Sequence, residues 1–284
     1  VRGIWEDSHA GRGKFSEHSL RYKGVRLLEN AALKGADACC AICEGLRQEI
    51  ESRGIPRDKI FLVPNGVDSS MFMPGEPDET LRKDLGVEAG LTIGYIGSFF
   101  HYEGLDILVR GLSGLVQEFP RLRLLMVGDG ELMPVLRKIA QEEALTEHIV
   151  FTGRVPHEEV VKYYRVCDFF VLPRKETRET LLVTPLKPLE IMAMGKAVIA
   201  SNIGGHREIV EDGMNGLMFK SEDLEDLRAK CRKLLTDPES CVDLGARSRE
   251  WVVEHRDWSV LVERYIELYS KLSSGGGINS GSGK

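Results

Sequence analysis

Short apolar runs bounded by glycine, proline or polar residues alternate along this chain with longer stretches whose apolar residues recur at helical spacing. A short buried run followed by an amphipathic stretch is the pattern of a β-α unit, and a series of such units builds a parallel sheet covered by helices. The runs predict strands at Ala38–Cys43, Ile60–Val63, Leu91–Ile96, Leu122–Val127, Ile149–Thr152, Asp168–Leu172, Ala197–Ala200 and Gly216–Phe219. Helical spacing predicts helices at Leu20–Lys34, Cys43–Arg53, Glu79–Leu85, Leu105–Phe119, Glu131–Glu143, His157–Val166, Pro185–Ala193, His206–Glu211, Ser221–Thr236, Ser240–Glu254 and Trp258–Leu272. The connections between them are short and turn-rich, as α/β folds require.

The division along the chain is uneven. Residues 1–63 hold too few strand candidates for a self-standing domain and read as the end of one. Residues 64–87, opening with Pro64-Asn-Gly-Val-Asp68, read as a linker and first helix, and 88–255 as a fuller doubly wound unit. Residues 256–272 read as a C-terminal helix, and 273–284 as a flexible Gly/Ser-rich tail.

Composition changes this picture little. With 284 residues, 42% hydrophobic and 29% charged, the chain is an ordinary globular protein. A net charge of −6 supplies no basic field to recruit nucleic acid. The basic run Arg174-Lys-Glu-Thr-Arg178 reads as a solvated loop that has room for one phosphate. No apolar run approaches the ~20 residues that span a bilayer. The chain opens without Met or a charged-then-apolar leader, as the middle of a longer protein would, and a cytoplasmic location is expected. Six irregularly spaced cysteines fit a reducing compartment. Cys39-Cys-Ala-Ile-Cys43 reads as a buried strand of small apolar residues, not a metal site, because no second Cys or His pair stands at finger-like spacing.

The candidate chemistry sits at the ends of the expected strands. Four loops there are rich in glycine: Gly94-Tyr-Ile-Gly-Ser98, Val127-Gly-Asp-Gly-Glu131, Thr152-Gly-Arg-Val-Pro156 and Ile203-Gly-Gly-His206. In open α/β sheets ligands bind outside the carboxyl ends of the strands, and glycine lets backbone amides approach them. Gly128-Asp-Gly130 reads as a strand end leading into a helix. Arg154 and Val155 offer a backbone donor and acceptor to a flat base. Thr184-Pro-Leu-Lys-Pro-Leu-Glu190 reads as a capped helix start, with Thr184 as cap, Pro185 in the first helical position, Lys187 for an anion and Glu190 for sugar hydroxyls. A phosphate site beside a hydroxyl site points to a nucleotide sugar. His101, His157 and His206 read as solvated loop residues, with His206, beside Gly205, the best placed for a ligand. Met192 and Met194 read as core. Near the start, Trp5-Glu-Asp-Ser-His9 crowds two carboxylates, an imidazole and an aromatic ring together.

Pro64-Asn-Gly-Val-Asp68, Ile96-Gly-Ser98, Glu103-Gly-Leu-Asp106, Val127-Gly-Asp-Gly130, Phe151-Thr-Gly-Arg-Val155, Glu190-Ile-Met-Ala-Met-Gly-Lys-Ala-Val198 and Gly204-Gly-His-Arg-Glu208 together resemble the retaining family 4 glycosyltransferases of GT-B fold. Arg2-Gly-Ile-Trp-Glu-Asp-Ser-His9 and Val183-Thr-Pro-Leu-Lys-Pro-Leu-Glu190 are similar to the branch associated with exosortase and bacterial exopolysaccharide gene clusters. The resemblance implies a doubly wound, Rossmann-like C-terminal donor domain and the remnant of an N-terminal Rossmann-like acceptor domain, of which roughly 100–150 residues would be missing. It implies a nucleotide-diphospho-sugar donor, expected to be a UDP-sugar, and a glycan or lipid-linked acceptor. By the family's pattern Glu190 holds the donor ribose, Gly97 and Ser98 contact the phosphates, Arg154 and Val155 lie near the base, and Gly205 and His206 follow the next strand. Arg2, Glu6 and Asp7 would face the cleft as catalytic residues.

Three departures stand out. Leu182 stands where the family's first Glu-x7-Glu glutamate is expected. Ser98 and Glu103 stand where it often carries Arg and Lys, which makes Lys187 the replacement cation. Arg2 stands near the place of an active-site histidine. No cofactor or metal is expected, since helix dipole and lysine do the neutralising. The rival readings are a nucleotide-sugar epimerase, which converts donor without acceptor, and an inactive nucleotide-sugar-binding half, which binds without turnover. A solvated helix face accounts for Lys14, Arg21, Lys23 and Arg26, with peripheral contact to a membrane surface as the alternative.

Overall fold

The structure, a computed structural model, describes residues 1–6, 18–88 and 90–274. In chain order, α1 (Leu20–Gly35) is capped by the Ser19 side chain, which accepts from the Tyr22 amide. β1 (Cys39–Ala41), α2 (Glu44–Ser52) and β2 (Ile60–Leu62) follow, and β1 pairs in parallel with β2, Cys39 opposite Ile60. A small core of Ile4, Leu33, Leu46, Ile50 and Ile55 holds this part together.

After the short α3 (Glu79–Asp84) comes a run of β-α units. These are β3 (Thr92–Ile96), α4 (Leu105–Glu118), β4 (Arg123–Val127), α5 (Met133–Glu142), β5 (Ile149–Gly153), α6 (Val160–Val166) and β6 (Phe169–Leu172). Two short helices, α7 (Arg178–Leu182) and α8 (Lys187–Ala193), lead to β7 (Ala197–Ser201), α9 (Gly204–Arg207) and β8 (Leu217–Phe219). The helices α10 (Leu224–Thr236), α11 (Pro238–Arg256) and α12 (Trp258–Ser273) close the chain, capped by Asp223, Asp237 and Asp257.

The second sheet is parallel throughout, in the order β5-β4-β3-β6-β7-β8. Its central strands are buried along their whole length, because helices cover both faces of an all-parallel sheet. Strand order reverses between β3 and β6, and it is at the carboxyl ends of such a pair that open α/β sheets bind their ligands.

The chain end returns to the linker. Val67 donates to Arg256 O at 2.9 Å, and the Trp258 amide donates back to Val67 O at 3.1 Å. Gly66 leaves space for this crossing, since a Cβ there would stand 2.9 Å from Arg256 O and from the Trp258 ring.

Strand positions match the apolar runs to within two residues, but three local expectations are overturned. α8 starts at Lys187, with Leu186 at its cap and Pro188 in its first turn, so Thr184 and Pro185 are not its cap and first residue. Both are instead buried ahead of it, and Asn65 Nδ2 donates to the Thr184 carbonyl at 3.4 Å. The segment around Arg174–Arg178 is no solvated loop: Thr177 and Thr180 form a capping box that starts α7, a helix the periodicity did not announce. α9 starts at Gly204, two residues ahead of His206. The tail at 275–284 lies outside the described residues.

Candidate functional site

The loops that leave β3 and β6 lie backbone against backbone. Gly104, in the left-handed region at φ +67°, would place a Cβ 2.0 Å from Pro173 O, so no side chain fits there. The Lys175 amide donates to Tyr102 O at 2.9 Å, and Lys175 Nζ to Asp106 at 2.8 Å. Gly97 has φ +146°, and a Cβ there would stand 2.3 Å from Lys187 Cε. The lysine chain therefore lies directly over the first glycine turn, and two of the expected donor residues, Gly97 and Lys187, are brought together.

Around Lys187 is a buried ion cluster. Lys187 Nζ donates to Glu103 Oε1 at 2.7 Å, and Arg174 donates to both carboxylate oxygens of Glu103 at 3.2 and 3.3 Å. Burial pushes the Glu103 carboxyl up, but Lys187 and Arg174 outweigh it and hold it at about 2. Burial pushes the Lys187 ammonium down, against the pull of Glu103. Tyr95 lies under Lys187 and Tyr102 under Arg174, at 5.5 Å from each ring centre. Sequence reasoning gave the Arg174 run room for one phosphate and saw Glu103 in the place of a family cation, but it joined neither to the Lys187 site. The one available signal was Pro173-Arg174 directly after the fully buried β6, where a solvated loop has little room to begin.

Glu190 stands one turn beyond Lys187 on α8 and accepts from the Tyr164 hydroxyl at 2.6 Å. His206 is not a solvated loop residue. It is fully buried, its Nδ1 lies 2.9 Å from Ser201 O, and its Nε2 has no partner. Burial first, and then the Arg174 charge, push this imidazole down to about 3. Gly205 meets protein rather than open space: a Cβ there would lie 2.2 Å from Val183 O. Ser98 is exposed, and its carbonyl accepts from the Tyr95 hydroxyl at 3.1 Å. Arg154 is exposed and Val155 half-buried beyond β5, two strands from β3.

Of the expected catalytic residues, the two that are described, Arg2 and Glu6, are not brought together. Glu6 is fully buried and bound to Arg53 at 2.7 Å, so it faces an arginine inside the first unit and not a cleft. Arg2 is exposed, and its charge reaches the Tyr265 phenol on α12. Asp7 lies outside the described residues, as do Ser8, His9 and Lys14. Among the described residues no group of three or more His, Cys, Asp or Glu is arranged to hold a metal ion.

The two sheets meet where α2 begins. The Glu208 carboxylate accepts from the Glu44 and Gly45 amides at 2.8 and 3.0 Å, which caps α2 from the other unit. Cys43 Sγ donates to Leu182 O at 2.9 Å, and Arg178 pairs with Glu49 at 2.7 Å. A Cβ on Gly45 would stand 2.8 Å from Leu182 O. The backbone of Leu182, where a glutamate was expected, thus forms part of this joint.

With this geometry in place, comparison with known proteins decides the family, because residues 77–251 match the model described as Glycosyl transferases group 1. The chain belongs to that family. Residues 7–70 match a second model, Glycosyltransferase Family 4. The chain is 28% identical over 239 residues to a GDP-mannose-dependent alpha-(1-6)-phosphatidylinositol monomannoside mannosyltransferase of Mycolicibacterium smegmatis, covering 83% of this chain and 62% of that protein. It is 30% identical over 238 residues to a D-inositol 3-phosphate glycosyltransferase of Nocardia farcinica, covering 80% of this chain and 51% of the relative. The chain therefore spans between about half and two thirds of the length of these relatives.

Among solved structures, Anabaena HepE in complex with UDP and glucose aligns with a TM-score of 0.80 at 20% identity, covering 96% of this chain and 70% of that one. Sucrose-phosphate synthase of Thermosynechococcus elongatus aligns at 0.75 and 24% identity, covering 96% and 67%. The fold of this chain is accordingly the α/β GT-B fold, with a Rossmann-like C-terminal unit. No helix among the described residues is long and apolar enough to cross a membrane.

Proposed function

We propose that the chain carries the donor site of a retaining glycosyltransferase that moves a sugar from a nucleotide-diphospho-sugar to a glycan or lipid-linked acceptor in exopolysaccharide synthesis. The observation that carries this reading is the set of Lys187, Gly97 and Glu190 at the strand-order reversal, where a cation lies over a glycine turn and a carboxylate follows one helical turn on. Lys187 and the Gly97 turn take the diphosphate, and Glu190, oriented by Tyr164, takes the ribose hydroxyls. In the transfer, the bond from the anomeric carbon to the β-phosphate oxygen breaks, and its electron pair stays on that oxygen. The acceptor hydroxyl bonds to the same carbon and gives its proton to the departing diphosphate. Lys187 stabilises the charge that develops there.

A UDP-sugar is the donor we favour, and the neighbour with UDP bound supports it; the GDP-mannose-dependent relative makes GDP the competitor to test. That relative acts on a phosphatidylinositol mannoside, which supports a lipid-linked acceptor. We place the enzyme at the cytoplasmic face of the membrane that would hold such an acceptor. The exposed Leu20, Leu27 and Leu28 of α1, among exposed Arg21, Lys23 and Arg26, support that contact.

The test is transfer of labelled sugar from UDP- and GDP-sugars by the longest form of the protein and its Lys187→Ala and Glu190→Ala variants. Loss of about 100-fold or more in each is expected if they stabilise and hold the donor. Near-unaltered transfer by both variants would sink the site assignment.

A further inference from the structure

One carboxylate in this molecule holds two cations. Glu103 Oε1 takes both Lys187 Nζ and Arg174 Nη2, and its Oε2 takes Arg174 Nε. The side chains of Glu103, Arg174 and Lys187 are 3, 12 and 18% exposed. Within this trio one positive charge is left over. A structural ion pair needs one cation, and burying a second is unfavourable unless an anion joins it.

Lys175, the next residue after Arg174, is matched by Asp106. The charge of Glu190 reaches Lys187, but its hydrogen bond goes to the Tyr164 hydroxyl, and among the described residues Arg174 has no carboxylate partner besides Glu103. His206 is held neutral by burial beside Arg174. The fork on Glu103 uses Arg174 Nε and Nη2 and leaves Nη1 uncommitted. The trio sits at the strand-order reversal: Glu103 comes from the loop after β3 and Arg174 from the loop after β6, the two strands between which the order reverses. The Arg174 main chain is fixed as well, since Ser201 Oγ donates to its carbonyl at 2.7 Å.

We propose that Arg174 is a second diphosphate ligand of this site and that Glu103 is the positioning residue that holds Arg174 and Lys187 side by side for it. The inference rests on the donor-site reading above and adds two residues to it. A guanidinium meets a phosphate through paired N–H donors in a fixed plane, whereas an ammonium acts as a point charge. Arg174 therefore orients the diphosphate and Lys187 neutralises it. Glu103 does not touch the phosphates.

The experiment is calorimetric titration of the chain with UDP, GDP and ADP, followed by comparison of the tightest of these with its monophosphate. Arg174→Gln should weaken the diphosphate about tenfold or more and leave the monophosphate within about twofold. Arg174→Lys, which keeps a charge on Glu103 and guards against misfolding, should lose about threefold. Glu103→Gln is the sharper variant. It removes a negative charge beside the phosphates, so simple repulsion predicts tighter binding, whereas positioning predicts binding weaker by about fivefold. Unchanged diphosphate affinity in Arg174→Gln, or equal losses for diphosphate and monophosphate, would overturn the role of Arg174. Tighter binding by Glu103→Gln would overturn that of Glu103. If the unaltered chain binds no nucleoside diphosphate, the donor-site reading itself fails and this inference falls with it.

Discussion

Lowering the pH below 6.5 should cost this protein stability through one buried imidazole, His206. Its Nδ1 lies 2.9 Å from the Ser201 carbonyl, which can only accept, so the proton is assigned to Nδ1 and Nε2 is left bare. Burial, and next the Arg174 charge, push the imidazole from 6.5 down to about 3. Because the folded-state value lies below the unfolded one, the unfolded chain binds a proton that the folded chain refuses. Stability from this group is therefore complete above pH 6.5 and drains away as the pH falls toward about 3. At about 1.4 kcal/mol per unit the whole window is worth roughly 5 kcal/mol, and the step from 6.5 to about pH 5 roughly 2 kcal/mol.

The assay is urea unfolding at a series of pH values for the unaltered chain and for His206→Asn, whose amide nitrogen falls near the Nδ1 position. Glu103 enters only below 4.5, so the interval from 4.5 to 6.5 isolates the imidazole. Burial raises the Asp168 and Glu29 carboxyls, but these are common to both proteins and cancel in the difference. The unaltered chain should lose about 1.4 kcal/mol more per pH unit than the variant across that interval. Parallel curves would refute the reasoning.

Two further perturbations follow from the same geometry. Glu208→Ala removes the carboxylate that caps α2 from the other unit; it should cost about 2 kcal/mol, with the excess amide exchange concentrated in the first turn of α2. Exchange there no faster than in the unaltered chain would show that the cap contributes little. Gly97→Ala forces a side chain into φ +146° and against Lys187, and should cost about 1–3 kcal/mol by denaturant unfolding while weakening nucleotide binding. Unchanged nucleotide affinity would mean that Lys187 does not need its place over the turn.

The fold was legible because its strands are buried on both faces and so appear as unbroken apolar runs, such as Leu122–Val127 and Asp168–Leu172. Part of the site was legible for a related reason. Gly97 marks a close approach of chain to chain, and Lys187 is the residue that makes it. What remained hidden depends on partners far away along the chain. Glu103 and Arg174 are 71 positions apart, and each alone reads as a surface charge. His206 is buried only because α9 begins at Gly204 and turns it inward against Ser201. Glu6 resembled a cleft carboxylate until Arg53, from α2's far end, was seen to occupy it. Thr184 and Pro185 carry every local mark of a helix start, but α8 starts at Lys187, and Pro188 in its first turn fills the role expected of Pro185.

The most direct test of the donor site is a crystal structure of the chain with UDP. The account predicts the diphosphate within hydrogen-bond reach of Lys187 Nζ and the Gly97 turn, with the ribose hydroxyls on Glu190. UDP in the cavity lined by Leu91, Asp168 and Lys196, at the amino ends of the same strands, would contradict it.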